Sequence, residues 1–230
     1  MMKKSFIKLI KSFIEFTYLV KGNIFIIRFF RKPLNTWILP IFYNEKKFKK
    51  DAEIWRSQKF YKTKQYSEVE GDLQKKYLKT IINTINFDES ILDICCNQGR
   101  HLKFLHNKGF RNLEGFDIMK DAIENFKNSK EYLSGGIYAE TNLAQNFVKN
   151  ASDLKYDYSI TLGATIELMH PGFKIFKELR RILKKGFIFA INENGHSYPR
   201  FYRYQIESNG FKIIKCEEFN DVTILNCKKL

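Results

Sequence analysis

Two acidic residues and a turn of small residues could together bind a nucleoside. Asp93 lies in a buried apolar run, ILDICC, and the turn at residues 95–99 opens a helix-like stretch, HLKFLHNKG. Asp117 follows at the end of the next apolar run. Backbone amides at such a turn can approach a ligand closely, and a carboxylate one strand over can accept both ribose hydroxyls. Because the turn lacks a GxGxxG phosphate cradle, it predicts an adenosine ligand without phosphates.

Four titratable side chains follow the later apolar runs, where an acceptor would lie beside such a ligand. Glu167 and His170 come after YDYSITLG, and Glu193 and His196 come after FIFAINEN. A general base at this edge could take a proton from a hydroxyl acceptor. For Glu193 and His196, catalysis and a polar loop that only caps the next helix are equally open interpretations. For Glu167 and His170 a structural role is favoured, because the histidine directly precedes a proline near a helix start.

Alternating strand-like and helix-like stretches must position these residues, and this alternation predicts an α/β fold with a mostly parallel sheet. Among them, FKIFKELRRILKKG is predicted to be a helix that ends at its glycine. Two β-rich runs, FKIIKCEEF and VTILNCKKL, are separated only by Asn220 and Asp221. This short separation predicts a C-terminal antiparallel hairpin.

The turn resembles the cofactor site of class I S-adenosylmethionine-dependent methyltransferases, in particular the type 11/12-like group. That family writes the turn as Asp-x-Gly-x-Gly-x-Gly, and the four places are taken here by Asp93, Cys95, Asn97 and Gly99. The likeness runs from Asp51 to the C-terminus. The family's FDVVFSxGVLEH is similar to YDYSITLGATIELMHP, and the KELRRILKKG helix and the closing hairpin also match.

The resemblance implies a Rossmann-like, mostly parallel seven-stranded sheet flanked by helices, and S-adenosylmethionine as cofactor with S-adenosylhomocysteine as product. The cofactor-binding residues that it implies are Tyr66, Asp93, Cys95, Asn97, Gly99, Asp117, Ile118 and Gly163. An ordinary strand-helix-strand unit whose turn binds nothing remains the alternative. No metal site is expected, because the four cysteines lack the spacing of metal ligands.

The chain divides at about residue 50 into a basic extension and a methyltransferase domain. We expect residues 1–50 to form a basic amphipathic extension and residues 51–230 the domain, with 51–86 as a helical lead-in or lid divided near Gly71. Aromatic side chains of this lead-in, Tyr66 above all, could shield a sulfonium by cation–π contact.

The formal charge of +15 is concentrated in the extension. Residues 1–50 carry twelve Lys or Arg against two Glu, whereas the other 180 residues share a net charge of +5. This segregation argues against nucleic-acid binding, which needs basic residues around the working groove. Residues 1–30 could lie on an anionic membrane or pack on the domain or a partner subunit, and both interpretations remain open.

The resemblance implies methyl transfer, and the segregated charge favours a small-molecule or glycan acceptor, methylated at a hydroxyl oxygen. RNA or protein methylation and an inactive, cofactor-binding adaptor are the alternatives. Charged residues interrupt every apolar run near the N-terminus before it reaches the length of a signal sequence or a membrane span. A cytoplasmic protein is therefore expected, with peripheral attachment to the inner face of the membrane as an option.

Overall fold

A computed structural model describes residues 30–42, 44, 69–163 and 165–230. The predicted amphipathic helix within residues 1–29 and the first half of the lead-in, residues 51–68 with Tyr66, lie outside the described residues.

A seven-stranded mixed sheet forms the centre of the molecule. Its strands are β1 (Ile91–Ile94), β2 (Leu113–Asp117), β3 (Ile137–Thr141), β4 (Tyr156–Leu162), β5 (Leu183–Ile191), β6 (Phe211–Phe219) and β7 (Val222–Lys229). Their order is β3-β2-β1-β4-β5-β7-β6, with the first five strands parallel and β7 antiparallel to both of its neighbours. The predicted fold is therefore confirmed, including the C-terminal hairpin.

Seven α-helices with fully described ranges precede β1 or connect the strands. They are α1 (Asp72–Ile82), α2 (Arg100–Asn107), α3 (Lys120–Lys127), α4 (Lys130–Leu133), α5 (Ala144–Asn150), α6 (Ile175–Ile182) and α7 (Tyr202–Ser208). A π-helical turn, Leu34–Ile38, and a 3-10 turn, Leu39–Phe42, precede them. Within the described ranges, no helix has both the length and the apolar composition needed to cross a bilayer.

The core has two apolar clusters, because alternate residues of a strand point to opposite faces of the sheet. Leu92 and Ile94 of β1 lie in one cluster, and Ile91 lies in the other. All four residues of β1 are buried, as expected for a central parallel strand that is covered on both faces.

The helix predicted over FKIFKELRRILKKG ends earlier than expected. Helix α6 stops at Ile182, and the residues from Leu183 onward belong to β5, where Leu183 pairs with Tyr156 of β4. A Cβ on Gly186 would lie 2.0 Å from the carbonyl oxygen of Cys227 in β7. The glycine is therefore required by close strand packing, not by a helix end.

The strand order reverses at β1, which lies between β2 and β4. Ligands of open α/β sheets bind at such a switch point, outside the carboxyl ends of the strands. The topology therefore gathers the turn after β1, the end of β2 and the loops after β4 and β5 at one edge of the sheet.

Candidate functional site

The turn between β1 and α2 contains three left-handed residues in alternate positions. Cys95, Asn97 and Gly99 have φ angles of 59°, 50° and 67°. Two hydrogen bonds fix the turn: the Cys96 N–H donates to the Phe116 carbonyl and the Gly99 N–H to the Cys96 carbonyl, each at 2.9 Å. The Asn97 N–H donates to Asp117 and the Gln98 N–H to the Asn97 side chain, so the N–H groups of residues 96–99 all have partners in the turn or in β2.

Gly99 is required by packing as well as by its backbone angle. A Cβ at this position would lie 2.2 Å from the ring of Phe126 in α3. The N-terminus of α2 can therefore approach α3 this closely only with glycine.

Asp117 points directly at the turn. Its Oδ2 accepts the Asn97 N–H and its Oδ1 accepts the Met119 N–H, each at 2.9 Å. Burial raises the pKa of Asp117 to about 6, although these backbone hydrogen bonds act in the opposite direction. A carboxylate offers about four lone-pair positions, so Asp117 can accept further hydroxyl donors.

Asp93 and Cys95 lie in the interior around the turn. The Oδ2 of Asp93 lies 3.7 Å from Nδ1 of His101 in α2, and both side chains are buried. Burial, followed by the charges of Asp117 and Asp93, raises the pKa of the Cys95 thiol well above its usual value, although a hydrogen bond with Thr165 opposes this. This raised pKa favours the neutral thiol of Cys95, which is a weaker nucleophile than a thiolate.

Gly163, at the end of β4, borders open space. Its φ is 117°, it is exposed, and a Cβ there would meet nothing within 4 Å. Nearby, the Thr161 hydroxyl donates to the Ile94 carbonyl at 3.0 Å, which joins β4 to β1 just below the turn.

Glu167 joins the loops after β4 and β5. Its Oε1 accepts the Asn192 N–H at 2.8 Å, and its Oε2 has no hydrogen-bond partner in the described part of the chain. Glu167 is only 1% exposed, and burial raises its pKa to about 7. This carboxyl is thus positioned inside the loop layer.

His170 makes two contacts that restrict its chemistry. Its Nδ1 accepts the Gly172 N–H at 3.0 Å, and its ring packs edge-on against Tyr198 at 5.4 Å between centroids. Because Nδ1 is an acceptor, a neutral His170 carries its proton on Nε2 and presents a donor there. It is therefore poorly suited to act as a general base.

Glu193 and His196 occupy the same polar loop, but no hydrogen bond between described residues joins them. Glu193 Oε1 accepts from Nε of Arg203 in α7 at 3.0 Å. His196 is exposed and left-handed, with a φ of 58°. The structure thus pairs Glu193 with a cation and leaves the imidazole at the loop surface.

Arg200 is a site residue that the sequence did not reveal. It is 1% exposed, and its Nη2 donates to the carbonyl oxygens of Ile166 at 2.5 Å and Met169 at 3.2 Å. Its guanidinium carbon lies 5.0 Å from the centre of the Tyr202 ring. In sequence, an arginine before a helix indicates a solvated surface; only its position inside an apolar run, SYPRFY, could have suggested burial.

The N-terminal segment contacts this same loop. The side-chain amide of Asn35 donates to the Pro199 carbonyl at 2.7 Å, and the Phe201 N–H donates to the Thr36 hydroxyl at 3.1 Å. Both Asn35 and Thr36 are buried. Residues before the predicted domain boundary therefore form part of the wall around the loops after β4 and β5.

A family model described as "Methionine biosynthesis protein MetW" matches residues 75–214, which are 140 of the 230 residues. The chain belongs to the MetW family. This match spans the turn, Asp117, and the loops after β4 and β5. No curated protein is significantly similar to the chain in sequence.

Solved structures share the fold of this MetW family member at low sequence identity. The PH0226 protein of Pyrococcus horikoshii is 16% identical with a TM-score of 0.58, over 75% of this chain and 98% of that one. A TehB-like S-adenosylmethionine-dependent methyltransferase of Corynebacterium glutamicum is 14% identical with a TM-score of 0.54, over 81% of this chain and 99% of that one. The cyclase SpnF is 11% identical with a TM-score of 0.56, over 68% of this chain and 80% of that one. The fold is that of class I methyltransferases, for which S-adenosylmethionine is the expected cofactor.

Proposed function

We propose that the chain binds S-adenosylmethionine at the turn 95–99 and transfers its methyl group to a hydroxyl oxygen of a small-molecule or glycan acceptor. The observation that carries this proposal is the 2.9 Å hydrogen bond from the Asn97 N–H to Asp117, which brings the carboxylate to the turn. The cofactor supplies an electrophilic methyl group on a sulfonium. The finer type 11/12-like assignment and the domain limits at residues 51 and 230 are part of the same proposal.

The residues at the turn fit a nucleoside ligand without phosphates. Asp117 keeps acceptor capacity for two ribose hydroxyls, and the left-handed turn lets backbone amides approach an adenosyl group. Gly163 opens the opposite side of the crevice, where no neighbouring atom would meet even a Cβ. Ile118 follows Asp117 directly, where it can contact the adenine.

The loops after β4 and β5 form the acceptor side of the site. Their residues can position a hydroxyl group and receive its proton. His196 is the best candidate for the base, because its ring is accessible, whereas His170 presents a donor and Glu167 is buried. An in-line displacement depends mainly on holding the acceptor against the methyl group, and the base adds to this. Glu167 and Arg200 act as positioning residues that hold the loops together.

The name of the family favours a small metabolite among acceptors, since it refers to methionine biosynthesis. The acceptor side also holds carboxylates, Glu167 and Glu193, as well as cations, Arg200 and Arg203, which does not favour a polyanion such as RNA. The main alternative is a protein that uses this fold without methyl transfer. The similarity of fold to a cyclase, SpnF, gives that alternative its support.

Calorimetric titration with S-adenosylmethionine and S-adenosylhomocysteine tests the binding step. We expect Asp117→Asn to weaken binding by about 10- to 100-fold, since the amide cannot accept both hydroxyls. Asp88→Asn, at an exposed position, is the matched control and should leave the affinity for both ligands unchanged. Cys95→Gly should bind at least as tightly as the wild type, because glycine suits the left-handed angle. Binding unchanged by Asp117→Asn would refute the assigned site.

The pH dependence of that titration gives a second check. Because the pKa of Asp117 is raised to about 6, its charged form is lost as the pH falls through 6. Affinity should therefore decrease below pH 6 in the wild type and stay flat in Asp117→Asn.

Transfer is tested by incubating the protein, methyl-labelled cofactor and cell extract, then separating small molecules, glycans, RNA and protein. Label in the small-molecule or glycan fraction, lost in Asp117→Asn, is the expected result. Label in the RNA or protein fraction would show that the acceptor is a macromolecule of that class and not a small molecule or glycan. Tight cofactor binding with no label in any fraction would favour the alternative of an inactive, cofactor-binding adaptor.

A further inference from the structure

An exposed apolar patch lies beside the acceptor-side loops. It consists of Trp37 from the N-terminal segment, Phe201 just before α7 and Tyr204 of α7, together with Ile41, four residues after Trp37 in the adjoining 3-10 turn. Trp37 is 52% exposed, Ile41 75%, Phe201 37% and Tyr204 53%. The Trp37 ring lies 5.4 Å from that of Phe201 and 6.0 Å from that of Tyr204. Three aromatic side chains thus form one surface although two separate parts of the chain supply them.

The patch is a fixed surface and not a loose tail. Beneath it, buried Asn35 and Thr36 bond to the backbone of Pro199 and Phe201. The Asn35–Pro199 bond is buried and the Thr36–Phe201 bond is partly buried, so breaking the first leaves a polar group without a partner away from water. A large apolar surface held in this way normally marks an interaction site.

The chain segment that carries Trp37 and Ile41 is basic in sequence. Between residues 28 and 50 the sequence has seven Lys or Arg and one Glu. Lys32 lies over the Phe201 ring, with its Nζ 5.9 Å from the centroid. Glu193 and Glu218 are each within ion-pair distance of Arg203, whereas Glu207, on α7 itself, is exposed. An anionic partner would therefore meet Lys32 directly beside the aromatic rings.

We propose that the apolar patch docks on an anionic lipid bilayer. Trp and Tyr prefer the boundary between headgroups and acyl chains, and flanking Lys and Arg add attraction to anionic lipids. This surface is distinct from residues 1–30 and does not depend on cofactor binding. Because Phe201 follows Arg200 directly, docking would turn the acceptor-side loops towards the membrane, which suits an acceptor with a lipid anchor.

Co-sedimentation of the full-length protein with vesicles tests the proposal. The vesicles contain phosphatidylcholine alone or phosphatidylcholine with one-third phosphatidylglycerol. We expect binding to the anionic vesicles only, decreasing with added salt. The triple variant Trp37→Ser, Ile41→Ser and Tyr204→Ser should bind the anionic vesicles at least about tenfold more weakly.

The matched control replaces three similarly exposed apolar side chains elsewhere on the molecule, Leu133→Ser, Tyr138→Ser and Leu154→Ser. It should bind vesicles like the wild type. Thermal melting and calorimetric titration with S-adenosylmethionine confirm that both triple variants are folded. Equal vesicle binding by the patch variant and the wild type would overturn the proposal. So would absence of wild-type binding, or a concentration-dependent dimer that the patch variant loses, since a second copy would then be the occupant.

Discussion

The two sides of the candidate site are built in different ways. The cofactor side is the turn 95–99 with Asp117, and the acceptor side is the loops after β4 and β5. On the cofactor side, the decisive hydrogen bond joins Asn97 to Asp117, only 20 residues apart, and the shape comes from backbone angles. On the acceptor side, Asn35 reaches Pro199 across 164 residues, and Arg200 reaches Ile166 across 34. Binding sites made of local backbone geometry leave a spacing pattern in the sequence, whereas walls made of distant contacts do not.

The sharpest test of the cofactor side compares two left-handed glycines. Gly99→Ala should destabilise the protein by about 3–5 kcal/mol, because a Cβ both collides with Phe126 and disfavours the backbone angle. Gly163→Ala should cost only about 1–2 kcal/mol, since a Cβ there meets nothing. Denaturant unfolding of both variants measures the difference. Equal losses would show that backbone angle alone, and not packing against α3, requires Gly99.

On the acceptor side, the largest expected effect is the pH dependence caused by Glu167. Its pKa is raised from 4.5 to about 7 by burial, so the folded state holds this proton more tightly than the unfolded state. The wild type should therefore lose stability as the pH rises from 4.5 to 7, by about 3 kcal/mol relative to Glu167→Gln. Unfolding curves at pH 5 and pH 8 measure this difference.

Glu207→Gln, an exposed change in α7, is the control for that experiment and should follow the wild type at both pH values. If Glu167→Gln and the wild type kept a constant difference from pH 5 to pH 8, Glu167 would have an ordinary pKa. Its carboxylate would then be charged in the interior and balanced by Arg200.

The fold was predictable because its signals are periodic and local. Buried β1, the turn with Asn97 at a left-handed position, and the hairpin with only Asn220 and Asp221 between its strands each depend on neighbours in the chain. The error at Gly186 shows the limit of such signals. A glycine after a helical pattern ordinarily indicates a helix end, but this one is required by contact with Cys227, 41 residues later.

The acceptor side was predictable only in its location. The sequence placed Glu167, His170, Glu193 and His196 after β4 and β5, but not the bond from Asn192 to Glu167 or the edge-on contact of His170 with Tyr198. Burial of a charged side chain depends on which segments cover it, and no local pattern specifies that. The roles assigned to the individual site residues on both sides remain predictions.

The smallest effect is expected where the N-terminal segment meets the acceptor side. Asn35→Ala removes the buried hydrogen bond to Pro199 and should cost about 1–3 kcal/mol, because the carbonyl loses its partner away from water. Asn112→Ala is the matched control, since its amide makes the same kind of bond, to Asp88 at 2.7 Å, in an exposed position. It should cost less than about 0.5 kcal/mol. Hydrogen exchange in Asn35→Ala should accelerate in residues 165–170 and 198–202 and stay unchanged in 95–99. Acceleration in the turn as well would mean that the two sides form one cooperative unit, and the contrast between them would then fail.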